Sequence, residues 1–287
     1  MRKLPTSPPP SEFPSDVLKW MKKSATPKLA FRLMFVCKYF QHQEFPYLIV
    51  EGLRGEDDQW NYLPLLDDTI AFVYEYIDLE TTTKKLWITR GLDLTCNDNW
   101  AITLLPKIAV CDIRELNLCY QNITFEELKV LTASKTLTKL NLSNAFIKDE
   151  NSENVPLEDI LEAIPEIESV GIRINGNAFV THQNAIEKVS TNLNNLNVWE
   201  IDDKDFKFEE CFKFIQRKQE IQFSFQCDDS NFSDEIRQKL QLLTDNLFER
   251  WETRNPPPHI SFQSQTAESK DKLEELWKLY HEKNNFH

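Results

Sequence analysis

Glycine is scarce, at five residues in 287. A chain so poor in glycine has little material for backbone loops that cradle phosphates, and no Gly-x-Gly-x-x-Gly, P-loop or Gly-x-Ser-x-Gly string occurs. Histidine is equally thin: His42, His182, His259, His281 and His287 are dispersed, with no pair at metal-ligand spacing. The six cysteines (Cys37, Cys96, Cys111, Cys119, Cys211 and Cys227) form no Cys-x-x-Cys. That spacing argues against zinc and against a disulfide framework, and for reduced, mostly buried thiols. Acidic runs such as Glu56-Asp57-Asp58 and Asp202-Asp203 read as solvated turns. Together these absences predict no catalytic residue, no cofactor and no metal. Apolar runs such as Tyr47-Leu48-Ile49-Val50 fall far short of the ~20 residues a membrane helix needs. The N-terminus shows no apolar signal region. The expected setting is cytoplasmic and/or nuclear, with no membrane partner, and the three Asn-x-Ser/Thr matches are then accidental.

Apolar residues make up 41% of the chain and charged residues 28%, enough of each to bury a core and keep a polar surface. The net charge of -13 is unevenly spread. Residues 1–40 hold eight Lys or Arg against Glu12 and Asp16, a balance of +6, so the remainder carries -19. An acidic body of this kind is a poor match for nucleic acid phosphates, so no nucleic-acid partner is expected.

Residues 1–11 are Pro-rich and read as a disordered leader. Pro14 and Ser15 precede a helix from Asp16 to about Lys23, with Ser15 as its cap. Thr26-Pro27 starts a second helix to about Gln41, whose stripe is Leu29, Leu33, Val36, Cys37 and Phe40. Further on, an apolar-x-apolar triplet recurs: Leu86-Trp87-Ile88, Leu116-Asn117-Leu118, Leu140-Asn141-Leu142, Val170-Gly171-Ile172, Leu196-Asn197-Val198 and Ile221-Gln222-Phe223. Successive triplets begin 24–30 residues apart, and a less regular Ile260-Ser261-Phe262 follows. Ile70 to Ile77 reads as a lead-in strand, with Tyr47 to Val50 as another candidate. Between the triplets lie helix starts: the capping box Thr124-Phe-Glu-Glu127, Pro156-Leu157, Thr181, and Ser233 before a stripe of Ile236, Leu240, Leu243, Leu247 and Trp251. Leu273, Leu276, Trp277 and Tyr280 mark a last helix. Strand then helix at this period predicts an α/β fold. A helical module over 12–50 is followed, over 51–287, by an irregular leucine-rich-repeat solenoid with a curved parallel sheet and a C-terminal capping helix.

The segment Phe13-Pro14-Ser15-Asp16-Val17-Leu18, then Trp20-Met21, Leu29, Leu33 and Val36-Cys37-Lys38-Tyr39-Phe40, resembles an F-box. Phe13 stands where that family usually has leucine and Asp16 where it has glutamate, and the gap between the helices is short. Coupled to divergent leucine-rich repeats, the module looks like the F-box expansion of nematodes. The resemblance implies a non-catalytic substrate receptor of an SCF-type (cullin-RING) ubiquitin ligase. Its F-box would dock on the linker subunit, and through it on the cullin. Phe13, Pro14, Val17, Leu18, Met21, Leu33, Val36, Cys37 and Phe40 are the contact candidates, some of them necessarily module core. Phe13, Trp20, Met21, Phe31, Met34, Phe35 and Tyr39 lie outside the main stripe, more apolar surface than two short helices bury alone. The alternative is a non-degradative leucine-rich-repeat adaptor whose N-terminal helices are only a cap. In either case the residue between each apolar pair and its outer neighbours face away from the core. Trp87, Asn117, Asn141, Arg173, Asn197, Trp199 and Gln222 are therefore the candidates for holding a protein target.

Overall fold

The computed structural model describes residues 14–36, 40, 47–56, 59–65, 73–95, 100–173, 179–201, 207–230 and 232–284. Two short helices open it, α1 (Ser15–Ser24) and α2 (Pro27–Val36). Pro14, not Ser15, is the residue before α1; Ser15 is already helical and no side chain caps that end. Thr26 does start α2, its Oγ1 accepting the Leu29 N–H at 3.3 Å.

The strands are β1 (Tyr47–Glu56), β2 (Gln59–Pro64), β3 (Glu75–Ile77), β4 (Lys85–Thr95), β5 (Ile108–Cys111), β6 (Glu115–Cys119), β7 (Asn122–Thr124), β8 (Lys139–Ser143), β9 (Phe146–Lys148), β10 (Ser169–Arg173), β11 (Asn195–Ile201), β12 (Gln222–Cys227) and β13 (His259–Phe262). All but β7 and β9, which pair with each other, join one mostly parallel sheet. From β4 through β6, β8, β10, β11 and β12 to β13 the neighbours run parallel and in chain order. At the other end β1 pairs parallel with β4, and β2 and β3 continue antiparallel. The expected lead-in over 70–77 reduces to β3, with 70–72 outside the described residues. Tyr47 to Val50 instead opens a ten-residue strand, so the boundary expected at residue 50 falls inside β1.

Returns between the parallel strands carry α3 (Trp100–Leu104), α4 (Phe125–Leu131), α5 (Leu157–Glu162), α6 (His182–Lys188), α7 (Phe208–Arg217) and α8 (Asp234–Glu249), and α9 (Ala267–Asn284) follows the last strand. Leu92, Leu94, Leu116, Leu118, Leu140, Leu142, Val170, Ile172, Leu196, Val198, Phe223 and Phe225 are buried in one cluster with α4 to α9 residues such as Leu128, Leu161, Ala185, Phe214, Leu247 and Leu276. Because side chains alternate along a strand, that burial leaves the opposite sheet face uncovered by these helices.

Three triplets sit out of the expected register. Leu92-Asp93-Leu94, not Leu86-Trp87-Ile88, pairs with Leu116-Asn117-Leu118. Leu196 and Val198 pair with Phe223 and Phe225, one step beyond Ile221. Phe225, not Ile221, faces Ile260. In each case a second apolar pair on the same strand offered the same alternation, and pairing across the sheet chose between them.

The strand ends repeat as well. Tyr120 and Asn144 each follow the last residue of their strands, Cys119 and Ser143, while Glu200 interrupts β11 between the paired Trp199 and Ile201; each of the three is left-handed, with φ of 53°, 49° and 54°. Non-glycine residues adopt this region only where the surroundings impose it. Here the Tyr120 N–H reaches the Ser143 carbonyl and the Asn144 N–H the Arg173 carbonyl, carrying each turn onto the next strand.

The capping box at α4 is complete, with the Glu127 N–H on Thr124 Oγ1 at 3.2 Å and the Thr124 N–H on Glu127 Oε2 at 2.7 Å. Thr124→Ala is expected to cost about 1 kcal/mol, read as a lower urea midpoint at unchanged slope. Cys111, Cys211 and Cys227 are buried cysteines, and burial pushes the thiols of the first two up to about 12.

Candidate functional site

Three rows of side chains cross the face away from the main core. The middle row runs Arg54, Asp93, Asn117, Asn141, Gly171, Asn197, Ser224 and His259. Above it lie Glu56, Thr95, Cys119, Ser143, Arg173, Trp199 and Gln226, and below it Gly52, Gly91, Glu115, Lys139, Ser169, Asn195 and Gln222. Six of the seven target candidates (Asn117, Asn141, Arg173, Asn197, Trp199 and Gln222) therefore share this face. Asn141 Nδ2 donates to Asn117 Oδ1 at 2.7 Å, so the two amides form a rung across neighbouring strands. Asn197 does not extend that ladder, because Gly171 stands between it and Asn141.

Gly171 decides where Trp199 goes. A Cβ built on it would lie 2.4 Å from Asn141 Oδ1 and 2.5 Å from Trp199 Cη2. The indole thus lies across the sheet, over the glycine of the neighbouring strand and against the asparagine beyond. Its column is Arg173, Trp199 and Gln226, while Ser224 pairs with Asn197. Arg173 is turned onto Glu200, with Nε–Oε2 at 2.6 Å. The cations of this face are likewise paired: Arg54 with Asp93 and Glu56, Arg90 with Glu51, Lys139 with Glu115. Each such exposed pair contributes little to stability.

Trp87 is the exception. Expected on the open face, it is 8% exposed and packed in a second apolar cluster with Leu18, Ala30, Leu33, Phe40, Ile49 and Leu65. Its ring lies edge-on to Tyr47, and Nε1 donates to Asp112 Oδ2 at 2.8 Å. The alternation was right, since Trp87 does point away from the main core; α1 and α2 then cover that end of the face. Trp87 is thus not a free target anchor.

The same packing sorts the linker-binding candidates. Leu18, Leu33 and Phe40 are buried between the helices and the sheet, a correction to their place as contacts. Pro14 is exposed and Val17 and Met21 are half-buried. Phe13, Cys37 and the side chain of Val36 lie outside the described residues. What remains outward is a residue noted only for its excess apolarity, Trp20 at 67% exposure, with Leu29 at 43%. Lys19, Lys22, Lys23, Lys28 and Arg32 are exposed on the same two helices. Sequence reasoning missed the row partners Arg54, Asp93, Glu200 and Gln226; continuing the repeat into Leu92-Asp93-Leu94 would have reached Asp93. Among the described residues no group of three or more His, Cys, Asp or Glu is placed to hold a metal ion. No protein-family model matches the chain, and no curated protein matches it either.

Proposed function

We propose that this chain is the substrate receptor of an SCF-type ubiquitin ligase. In this reading α1 and α2 are an F-box that docks on the linker subunit, and the parallel sheet belongs to a divergent leucine-rich-repeat solenoid whose open face holds a target. The observation that carries it is the double use of the two helices. Leu18, Ala30, Leu33 and Phe40 tie them to the sheet, yet Trp20 and Leu29 still point to solvent among exposed cations. A solvent-facing tryptophan on such a helix offers a partner an aromatic anchor. The repeating in-order strands and their repeated left-handed ends support the solenoid part of the reading.

No bond is made or broken by this chain in that role. Holding a target beside a charged conjugating enzyme turns lysine attack on the thioester into an effectively intramolecular step, worth at most about 7–11 kcal/mol. The F-box resemblance implies an acidic linker subunit, which the cationic helices would attract before contact, so association slows as salt rises.

A second reading has its own observation. The helices cover Trp87 and Ile49, which is what a cap on one end of a sheet does, and a non-degradative adaptor needs nothing more. Purified linker subunit separates the two. Trp20→Ala with Leu29→Ala, both changes on exposed side chains, is expected to weaken its binding by at least about 30-fold with the circular dichroism spectrum unchanged. No binding by the unmutated chain, or equal binding by the variant, leaves the adaptor.

A further inference from the structure

Four of the chain's glycines lie in described strands, and packing inside the protein explains only two of them. A Cβ on Gly55 would meet the Trp60 ring at 2.8 Å, and one on Gly171 would meet Asn141 and Trp199. Gly52 and Gly91 are different. They face each other across β1 and β4. A Cβ on Gly52 would find its nearest neighbour, Leu63 Cβ, at an ordinary 3.6 Å, and one on Gly91 would meet nothing nearer than the Glu115 carbonyl at 4.0 Å. Neither has a positive φ, so the local irregularity in register does not demand glycine. Glycine weakens a strand, and in a strand interior it marks a place where something approaches closely.

What the two glycines leave open is a hollow of about 260 Å³ on the uncovered face, walled by Tyr74, Arg90, Glu51, Asp93 and Glu115. That is room for one long side chain. Three carboxylates line its wall and each already meets one cation, Asp93 being reached by Arg54 Nε at 3.6 Å. Arg90 is spent on Glu51 Oε1 at 2.9 Å, and Lys139 reaches Glu115 Oε1 at 3.1 Å from the rim. Glu51 Oε2 and Glu115 Oε2 accept no hydrogen bond among the described residues. Tyr74, 48% exposed, adds an aromatic wall, and its hydroxyl hangs 3.7 Å from where the Gly52 Cβ would be. A guanidinium fits this set: its fork matches two carboxylate oxygens, and its flat face suits the ring.

We propose that the hollow over Gly52 and Gly91 is a binding site for an arginine side chain of a partner peptide. That the peptide belongs to a ubiquitylation target rests on the receptor reading above; the site itself does not.

Glycine scarcity makes the test direct, because the full chain labelled with ¹⁵N-glycine gives only five backbone signals. Gly52→Ala and Gly91→Ala identify the two that matter. The probes are acetyl-Gly-Arg-Gly-amide and the same peptide with citrulline, which keeps the shape and removes the charge. The arginine probe is expected to shift the Gly52 and Gly91 signals saturably, with a dissociation constant of about 1–10 mM, as a single anchored side chain allows. Citrulline is expected to bind at least fivefold more weakly. Gly91→Val is expected to abolish the arginine response while leaving the melting temperature unchanged or higher, since its side chain enters open space. Equal shifts by both probes, no saturation, a response that survives in Gly91→Val, or a lowered melting temperature in that variant would each overturn the proposal. The assay contains no linker subunit. Its failure therefore leaves the docking of α1 and α2 untouched, and failed docking leaves this result untouched.

Discussion

Trp87→Ala is expected to lower stability by about 3–5 kcal/mol, the cost of emptying a large aromatic from a packed site. The ring is buried between the N-terminal helices and the sheet, in contact with a cluster drawn from α1, α2, β1 and β4. Truncation opens a cavity there and removes the indole N–H bond to Asp112. In a chain of this size each kcal/mol moves the melting temperature by roughly 2–4 °C, so a drop on the order of 10 °C is expected. Cleavage by trypsin after Lys22 or Lys23 should accelerate in the same variant, because α1 has lost much of what holds it. A change of less than about 0.5 kcal/mol is what a solvent-facing residue would give, and that outcome would contradict the burial.

Gly171→Ala is the second large effect, and its sign should depend on a residue in another strand. In the unmutated chain the new methyl would sit 2.5 Å from Trp199 and 2.4 Å from Asn141, so both side chains must leave the sheet. Overpacking of this kind costs about 1–3 kcal/mol. In a Trp199→Phe background the ring atoms Cη2 and Cζ3 that make the contact are gone. With only the asparagine left to move, the same substitution should cost little or gain the few tenths that alanine offers over glycine in a strand. Equilibrium urea unfolding of the four proteins closes the cycle, and an interaction energy of about 1 kcal/mol or more is expected. Additive effects would mean that Trp199 does not rest on Gly171.

Much of this arrangement is legible without coordinates wherever the governing contacts are short-range in sequence. Thr124, Thr181 and Ser233 each cap the helix that follows them, because a hydroxyl and an N–H three residues on need only the local backbone to meet. Alternation along each triplet assigned Asn117, Asn141, Arg173, Asn197, Trp199 and Gln222 to one face, since a strand's two-residue period is a property of the strand itself. The helix α7 shows the limit of such signals. It has no side-chain cap, and its buried Phe208, Cys211, Phe212, Phe214 and Ile215 take their meaning from the sheet beneath. A strand's own pattern likewise cannot say which strand it joins or in what phase. Leu86-Trp87-Ile88 and Leu92-Asp93-Leu94 alternate equally well, and only pairing with β6 selects the second. Nor can it say what lies on top. Trp87 and Trp199 both point away from the main core, but one is sealed under α1 and α2 while the other lies over Gly171. The composition alone shows that glycine is rare; the tertiary structure decided which of those glycines make room for a neighbouring side chain and which leave a hollow open to solvent.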